Sequence, residues 1–280
     1  MNQAAEQPVN QSTDQLINQS TSQLTDYILH LADTTLILSQ RNSEWCGHGP
    51  ILEQDIAITN ISLDLLGQSR NFYQYAAQLI NRDQAPLSPG RGAGGEASPA
   101  TEDSLAYLRT EREFKNLLLV EQPNGDWAQT VLRQYLFSQF QQLLFEQLQH
   151  NNDEQVSAIA AKALKEIAYH VRWSSEWVIR LGDGTEESHN RMQNAVHALW
   201  MYTGEMFQPA DYEKEFIQDA EPVKEAWMQK VSAVLNEATL AVPENVFMQT
   251  GGKNGIHTEQ LGYILAELQY MQRVYPGCEW

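Results

Sequence analysis

Residues 152–181 read NDEQVSAIAAKALKEIAYHVRWSSEWVIRL, and this stretch decides the fold. Its apolar side chains recur at steps of three and four residues, namely Val156, Ile159, Ala160, Ala163, Leu164, Ile167 and Val171. These steps predict one buried face of a long α-helix. Asn152 is the predicted N-cap, with Gln155 at the third helical position. One polar side chain, His170, lies on the stripe, three residues after Ile167.

A second stripe has the same interruption. A helix is predicted from Pro50 to about Asn81, and its apolar positions are Ile58, Ile61, Leu65, Phe72, Ala76 and Leu79. Gln68 interrupts this stripe, three residues after Leu65. In carboxylate-bridged di-iron bundles, the metal helices carry Glu-x-x-His with both side chains pointing inward. The corresponding slots here have lost both glutamates and one of the two histidines.

A di-iron centre needs several carboxylates to neutralise and bridge its hard, highly charged ions. The sequence therefore predicts no metal in this chain, with Leu65, Gln68, Ile167 and His170 as degenerate metal positions. Buried polar side chains are almost always hydrogen-bonded. We expect Gln68 and His170 to bond each other or nearby groups such as Tyr135 or Ser138.

A residual metal site is the alternative. Glu166 lies four residues before His170 at the margin of its stripe, and Asp64 adjoins Leu65. These three polar residues could form the metal site of an independent ferritin-like oxidase or oxygenase. Two further sequences could bind ligands. Cys46 and His48 have no second ligand pair, and TGGKNG (250–255) resembles an anion-binding loop but lacks the Walker spacing, so a simple turn is predicted there.

The remaining helices are predicted at 24–41, 102–120, 127–150, 186–206, 222–239 and 258–274. No pair of β-strands with a hairpin turn is evident. The pattern predicts an all-α bundle with four long central helices and additional helices. Residues 23–280 are predicted to form a single domain with a flexible loop at about 84–101. Residues 1–22, rich in Gln, Asn, Ser and Thr, are predicted to be a disordered tail.

Composition excludes several classes of function. The chain has 36 acidic residues against 18 Lys and Arg, a formal charge of −18, which disfavours nucleic acid and anionic membranes as partners. It contains no apolar run of membrane-spanning length. The first residues have neither the basic region nor the apolar core of a secretory signal. Cys46 and Cys278 are far apart in sequence, so a reduced, cytoplasmic setting is predicted.

Four segments point to a known family: EWCGHGP (44–50), LVEQPNG (119–125), residues 160–185, and TGGKNGIHTEQLG (250–262). Through them, nearly all of residues 23–280 resembles the C subunits of the bacterial ring 1,2-phenylacetyl-CoA epoxidases. The resemblance implies a ferritin-like helical bundle. It also implies a structural subunit of a multicomponent monooxygenase, beside a catalytic A subunit that carries the di-iron site.

The implied complex uses O2 and electrons from a reductase component to epoxidise the ring of phenylacetyl-CoA during phenylacetate degradation. The implied partners are the A subunit and the other components, and a homodimer is a further expected form. Asp64–Gln68 and Lys165–His170 match the metal helices of A subunits, with aliphatic residues in place of both glutamates. Aromatic residues beyond the stripes are candidates for the interface, although each also suits the core: Trp45, Trp173, Trp177, Trp200 and Tyr202.

Overall fold

The computed structural model describes residues 9–84, 98–216 and 220–278. Within these ranges the chain forms α-helices joined by turns and short 3-10 segments, and it has no β-strand. The helices are α1 (Val9–Ser43), α2 (Leu52–Gln84), α3 (Glu102–Tyr107), α4 (Leu118–Glu121), α5 (Trp127–Leu148), α6 (Glu154–Gly182), α7 (Glu186–Leu199), α8 (Glu221–Glu237), α9 (Glu259–Leu268) and α10 (Tyr270–Val274).

The four long helices α1, α2, α5 and α6 form the centre of a bundle. The Ser39 hydroxyl of α1 donates to the Ser62 carbonyl of α2 at 2.8 Å, and the Ser69 hydroxyl donates to the Ala32 carbonyl at 3.0 Å. These pairs show that α1 and α2 run antiparallel. Helices α7 and α8 pack on α5 and α6, and α9 packs against α1 and α4. The predicted all-α bundle is confirmed.

Helix α6 begins one residue later than predicted. Its N-cap is Asp153, not Asn152, because the Asp153 carboxylate accepts a hydrogen bond from the Val156 N–H at 2.9 Å. Most of the predicted stripe, including Ile167, is buried, and it packs against α5 and α2. The Asp153 cap stabilises the N-terminal end of α6. The buried face of α6 positions the polar residues described below.

The predicted tail, residues 1–22, includes the first residues of α1. Helix α1 begins at Val9, so the backbone of these residues is helical, whereas residues 1–8 lie outside the described part. Once a helix is nucleated in a packed bundle, each added residue gains a hydrogen bond without a new nucleation cost. Of the predicted loop at 84–101, residues 85–97 lie outside the described part of the chain. Gln84 belongs to α2, and Ala100 exchanges two backbone–side-chain hydrogen bonds with Asn81.

The single helix predicted at 102–120 is wrong. Helix α3 ends at Tyr107, and the chain runs irregularly to α4. A buried carboxylate explains the break. Asp33 is fully buried and accepts hydrogen bonds from Arg109, Tyr73 and the Lys115 N–H, the last at 2.8 Å. Satisfying this charge draws Arg109 and the Lys115 backbone inward, which outweighs local helix propensity.

The last three predicted helices keep their positions but not all their lengths. Helix α7 ends at Leu199 and is followed by 3-10 turns to Phe207, while α8 ends at Glu237. The predicted helix 258–274 is divided at Gln269, whose amide donates to the Ala106 and Arg109 carbonyls at 3.2 and 3.0 Å. No helix in the described part of the chain has the length and apolar content that a membrane span requires.

The candidate interface aromatics are mostly internal. Trp173 and Trp200 are buried, and Trp45, Trp177 and Tyr202 pack partly buried against the core. Trp127 organises three of them, since its ring contacts those of Trp45, Trp173 and Trp177 edge to face. These aromatic side chains therefore belong to the core, and the exposed apolar surface lies elsewhere.

Candidate functional site

The two interrupted stripes face each other across the antiparallel helices α2 and α6. Leu65 and Ile167 are completely buried, His170 is completely buried, and Gln68 is 2% exposed. The sequence therefore correctly predicted which side chains point inward. These positions form the candidate site, because they are where the fold would hold metal ligands.

Gln68 is hydrogen-bonded at both ends of its amide. Its Nε2 donates to the Glu166 carboxylate at 3.0 Å, and its Oε1 accepts from Gln141 Nε2 at 2.9 Å. The chain thus links α2, α5 and α6 through three polar side chains. We call Gln68, Glu166 and Gln141 the amide chain.

His170 has a different partner. Its Nε2 lies 3.0 Å from Asp64 Oδ2, and the Asp64 side chain is 35% exposed, so this pair reaches the edge of the bundle. His170 Nδ1 is buried and has no hydrogen-bond partner among the described residues. Pairing with the anionic Asp64 oxygen indicates that Nε2 carries a proton.

The expectation that Gln68 and His170 are hydrogen-bonded is confirmed, but the named partners are wrong. The two residues do not bond each other. The Tyr135 hydroxyl instead donates to the Lys230 carbonyl at 3.3 Å, and Ser138 accepts from Gln134 at 2.7 Å. The partners Glu166 and Asp64 flank the stripes, from which side chains of their length can reach inward.

Gln141 was missed for a different reason. The sequence predicted only that 127–150 is helical, whereas α5 is buried on nearly every side. Its buried polar residues are Thr130, Arg133, Gln134, Ser138, Gln139 and Gln141. A helix at the centre of a bundle has no solvent face on which polar residues could be recognised as exposed. The Gln residues spaced along this helix, including Gln134, Gln139 and Gln141, were an indication in the sequence.

These residues do not fit a di-iron centre. Both positions that would supply inward carboxylates hold aliphatic side chains, Leu65 and Ile167, and the amide of Gln68 is occupied by two hydrogen bonds. Glu166 is bonded to Gln68, and Asp64 is bonded to His170, so the residual site considered from sequence is divided into two pairs. Across residues 9–84, 98–216 and 220–278, no three His, Cys, Asp or Glu side chains converge as metal ligands would.

The site opens to the surface through a polar cleft of about 240 Å³ between α2 and α6. Its lining includes Asp64, Gln68 and Glu166 together with the basic side chains Arg70 and Lys162. Opposite charges are thus mixed along its walls. The cleft supplies hydrogen-bonding groups, and the described residues that line it include no cysteine and no histidine.

The Cys46–His48 segment is a turn that starts α2. Cys46 is exposed, and His48 Nδ1 lies 3.1 Å from the Cys46 carbonyl. The Gly47 and Gly49 N–H groups donate to the Asp55 carboxylate at 3.2 and 3.0 Å. The conspicuous EWCGHGP sequence is thus explained by backbone geometry.

The TGGKNG loop binds an anion, but the anion belongs to this chain. The Gly251 N–H donates to Glu205 Oε1 at 2.8 Å, and the Leu118 N–H donates to Oε2 at 2.9 Å. Gly251 has φ +136° and Gly255 has φ +73°. Residues with a Cβ atom rarely adopt these backbone conformations. Burial raises the pKa of Glu205 despite these hydrogen bonds. The sequence predicted a simple turn here, whereas the loop also binds the Glu205 carboxylate.

The following histidine anchors the same region. His257 Nδ1 lies 2.9 Å from the buried Glu121 carboxylate, and Nε2 lies 2.9 Å from the Phe114 carbonyl. Because both ring nitrogens face acceptors, the geometry favours the imidazolium form. Burial lowers the pKa of His257, but the hydrogen bond and charge of Glu121 outweigh burial and raise it above the ordinary value. The LVEQPNG and TGGKNGIHTEQLG segments therefore contact each other through Glu121 and His257.

Comparison with known proteins agrees with this architecture. The sequence profile of the family described as phenylacetic acid catabolic protein matches residues 1–280. The C subunit of the 1,2-phenylacetyl-CoA epoxidase of Escherichia coli (strain K12) is 48% identical over 261 residues, which cover 91% of this chain and 98% of that protein. These matches confirm the resemblance and the ferritin-like helical fold that it implies. The chain belongs to the phenylacetic acid catabolic protein family.

Proposed function

We propose that this chain is the non-catalytic structural subunit of a multicomponent di-iron monooxygenase. The complex epoxidises the ring of phenylacetyl-CoA in phenylacetate degradation. A catalytic A subunit carries the di-iron centre, and this chain supports the active conformation of that subunit. The similarity to a subunit named for phenylacetyl-CoA epoxidase supports the assignment to such a complex.

One observation carries the non-catalytic role. Leu65 and Ile167 are completely buried at the positions where the fold would place bridging carboxylates. The neighbouring amide chain occupies both ends of the Gln68 amide with hydrogen bonds. A metal could bind there only after these hydrogen bonds were broken and new anionic ligands were supplied.

The same contacts explain why the bundle would remain after its chemistry was lost. The amide chain joins three of the four central helices, and an internal hydrogen-bond network of this kind favours one arrangement of a core. A rigid bundle can then serve as a template against which a paralogous subunit packs. In this view, the fold is retained for the surface against which the partner subunit packs.

The experiment separates the subunits. This chain and an A-type subunit are purified individually, incubated with ferrous iron, and analysed for iron content. Epoxidation of phenylacetyl-CoA is then measured with O2 and a reductase, for each subunit and for the mixture. We expect stoichiometric iron only in the A-type subunit and full activity only in the mixture.

Two results would refute the proposal. The first is a full di-iron complement in this chain alone, with epoxidase activity that follows it. The second is full activity of the A-type subunit with no gain on addition of this chain. The first would establish an independent oxygenase, and the second would remove the scaffold role.

A further inference from the structure

The sequence contains two Asn-Gly pairs, Asn124-Gly125 and Asn254-Gly255. In such a pair, the backbone nitrogen of the glycine can attack the side-chain amide carbon of the asparagine, because glycine has no side chain to obstruct the approach. The attack needs an Asn side chain that is free to turn toward the next residue, and a Gly nitrogen that is free to react. The fold treats these two requirements differently at the two pairs.

The Asn124 side chain is held at both ends of its amide. Its Nδ2 donates to the Arg41 carbonyl at 2.7 Å and to the Glu44 carboxylate at 2.8 Å, and its Oδ1 accepts from Arg133 Nη2 at 2.6 Å. Two of these partners are charged, and hydrogen bonds to charged groups are roughly twice as strong as neutral ones. Arg133 is completely buried, so releasing Asn124 would also leave a buried guanidinium with fewer acceptors.

The Asn254 side chain is exposed and makes no hydrogen bond to any described residue. Asn254 ends the short 3-10 turn Gly252–Asn254, and the Gly255 N–H donates to the Gly252 carbonyl at 3.0 Å. This single backbone bond restrains the attacking nitrogen. Opening one exposed turn of this kind costs less than unfolding a packed segment, because 3-10 hydrogen bonds have poorer geometry and local openings need only part of the global stability.

A reaction at Asn254 would alter the loop that binds Glu205. The Gly251 and Lys253 N–H groups donate to Glu205 Oε1 at 2.8 and 3.4 Å. Isoaspartate runs the main chain through the side-chain carbon, which lengthens the backbone by one atom directly after this turn. Gly255 has no room to take up the extra length, since a Cβ there would lie 2.3 Å from the Arg112 carbonyl oxygen. The turn that holds Glu205 must therefore change instead.

We propose that Asn254 is a site of spontaneous deamidation and isoaspartate formation, and that this modification loosens the loop that binds Glu205. The Gly255 nitrogen forms a bond to Asn254 Cγ and loses its proton to a solvent base, while the Cγ–Nδ2 bond breaks and ammonia leaves. Water then opens the succinimide ring at either carbonyl carbon, which gives aspartate or isoaspartate. Asn124 is protected by the contacts of its amide.

The first test follows both pairs in the folded, full-length chain. The chain is incubated at mildly alkaline pH, which favours removal of the Gly proton, and peptide mapping by mass spectrometry measures the exchange of amide for carboxyl at each Asn. Asn254 should react at least about tenfold faster than Asn124, because the Asn124 site must first open at a greater cost. Methylation of the peptides by an isoaspartyl methyltransferase identifies the isoaspartate.

The same measurement in urea is the control for the role of the fold. Unfolding removes the contacts of Asn124, so both pairs should then react at similar rates. Within the described residues, the Gly125 N–H makes no hydrogen bond, whereas the Gly255 N–H does. If Asn124 reacted first in the folded chain, the backbone bond and not the side chain would decide reactivity, and the proposal would be wrong. An intact Asn254 in the folded chain, after a period in which the unfolded chain has fully reacted, would also refute it.

The second test measures the effect on the loop. Wild-type chain aged in this way should lose melting temperature in proportion to its isoaspartate content. Asn254→Gln keeps an amide but closes the corresponding ring much more slowly, so this variant should keep its own melting temperature after the same incubation. Asn236→Gln is the matched control, because Asn236 is exposed on α8 and is followed by Glu237, and it should age as the wild type does.

Hydrogen exchange reports the loop directly. The amides of Gly251 and Lys253 should exchange faster in the aged wild-type chain, because their acceptor is Glu205. Exchange should stay unchanged in aged Asn254→Gln. An aged chain rich in isoaspartate at position 254 that kept both its melting temperature and its slow exchange would refute the loosening of the loop. These measurements use this chain alone, so their outcome is independent of the scaffold function.

Discussion

The Gln68 amide donates to the Glu166 carboxylate at 3.0 Å, joining α2 and α6 where a metal-binding bundle would hold inward carboxylates. A hydrogen bond thus occupies the place of a metal–ligand contact. Glu166 is not the inward residue of its helix, which is Ile167. The carboxylate reaches the site from the margin and accepts a neutral donor.

Gln68→Leu should destabilise the chain by about 1–3 kcal/mol, because it leaves the buried Gln141 amide and the half-buried Glu166 carboxylate without this partner. Gln78→Leu, a change at an exposed position of the same helix, should shift stability by no more than about 0.5 kcal/mol. Urea unfolding followed by circular dichroism measures both. Equal effects of the two changes would show that the amide chain contributes no stability.

His170→Ala should lower stability by about 2–4 kcal/mol, since it opens a cavity in the core and removes the partner of Asp64. In the folded complex, measured well below its melting temperature, kcat for epoxidation should stay close to wild type. Asp64→Asn, which keeps the shape of the pair, is the milder control. A collapse of kcat in fully folded His170→Ala complex would place His170 in the chemistry.

His257 should make stability depend on pH. Its pKa in the folded chain is raised above the ordinary value of 6.5. A group of this kind contributes its full stabilisation below its unfolded pKa and loses it as pH rises through the folded pKa. Stability should therefore fall between pH 6.5 and the raised pKa, and His257→Gln should flatten this part of the profile.

His150→Gln is the matched control for this experiment, because His150 is exposed. Its pH profile should follow that of the wild-type chain. Denaturant unfolding at a series of pH values measures all three proteins. A His257→Gln profile parallel to wild type would contradict the imidazolium assignment.

Restoring the ligands should restore metal affinity. In Leu65→Glu/Gln68→His/Ile167→Glu, buried carboxylates without counterions should lower the melting temperature of the metal-free chain. Ferrous or manganous ions should then raise it, because they bind the folded state. The control Leu65→Gln/Gln68→His/Ile167→Gln has similar side-chain size without the new carboxylates and should show little response. Equal metal-induced shifts in the triple variant and the unmodified chain would refute the loss of the site.

The sequence alone determined the helical class, the four long helices and the inward positions of Leu65, Gln68, Ile167 and His170. Burial in a helix repeats every three to four residues, so this information is local and can be read from a single segment. The absence of glutamate from both metal slots was visible for the same reason. Local information was also the limit of these predictions. From local information alone, residues 102–120 were predicted to form one helix. The neighbouring sequence does not show that Arg109 binds Asp33, which lies 76 residues earlier in the chain.

Only the tertiary structure decided which groups satisfy the buried side chains. Gln68 is bonded to Gln141 and Glu166, which are 73 and 98 residues away, and the Gly251 loop encloses Glu205, 46 residues away. Such pairs depend on how far a side chain at the margin of one helix reaches toward another helix or loop. The packing of the whole bundle sets that distance. The periodicity of apolar residues within one helix contains no information about it.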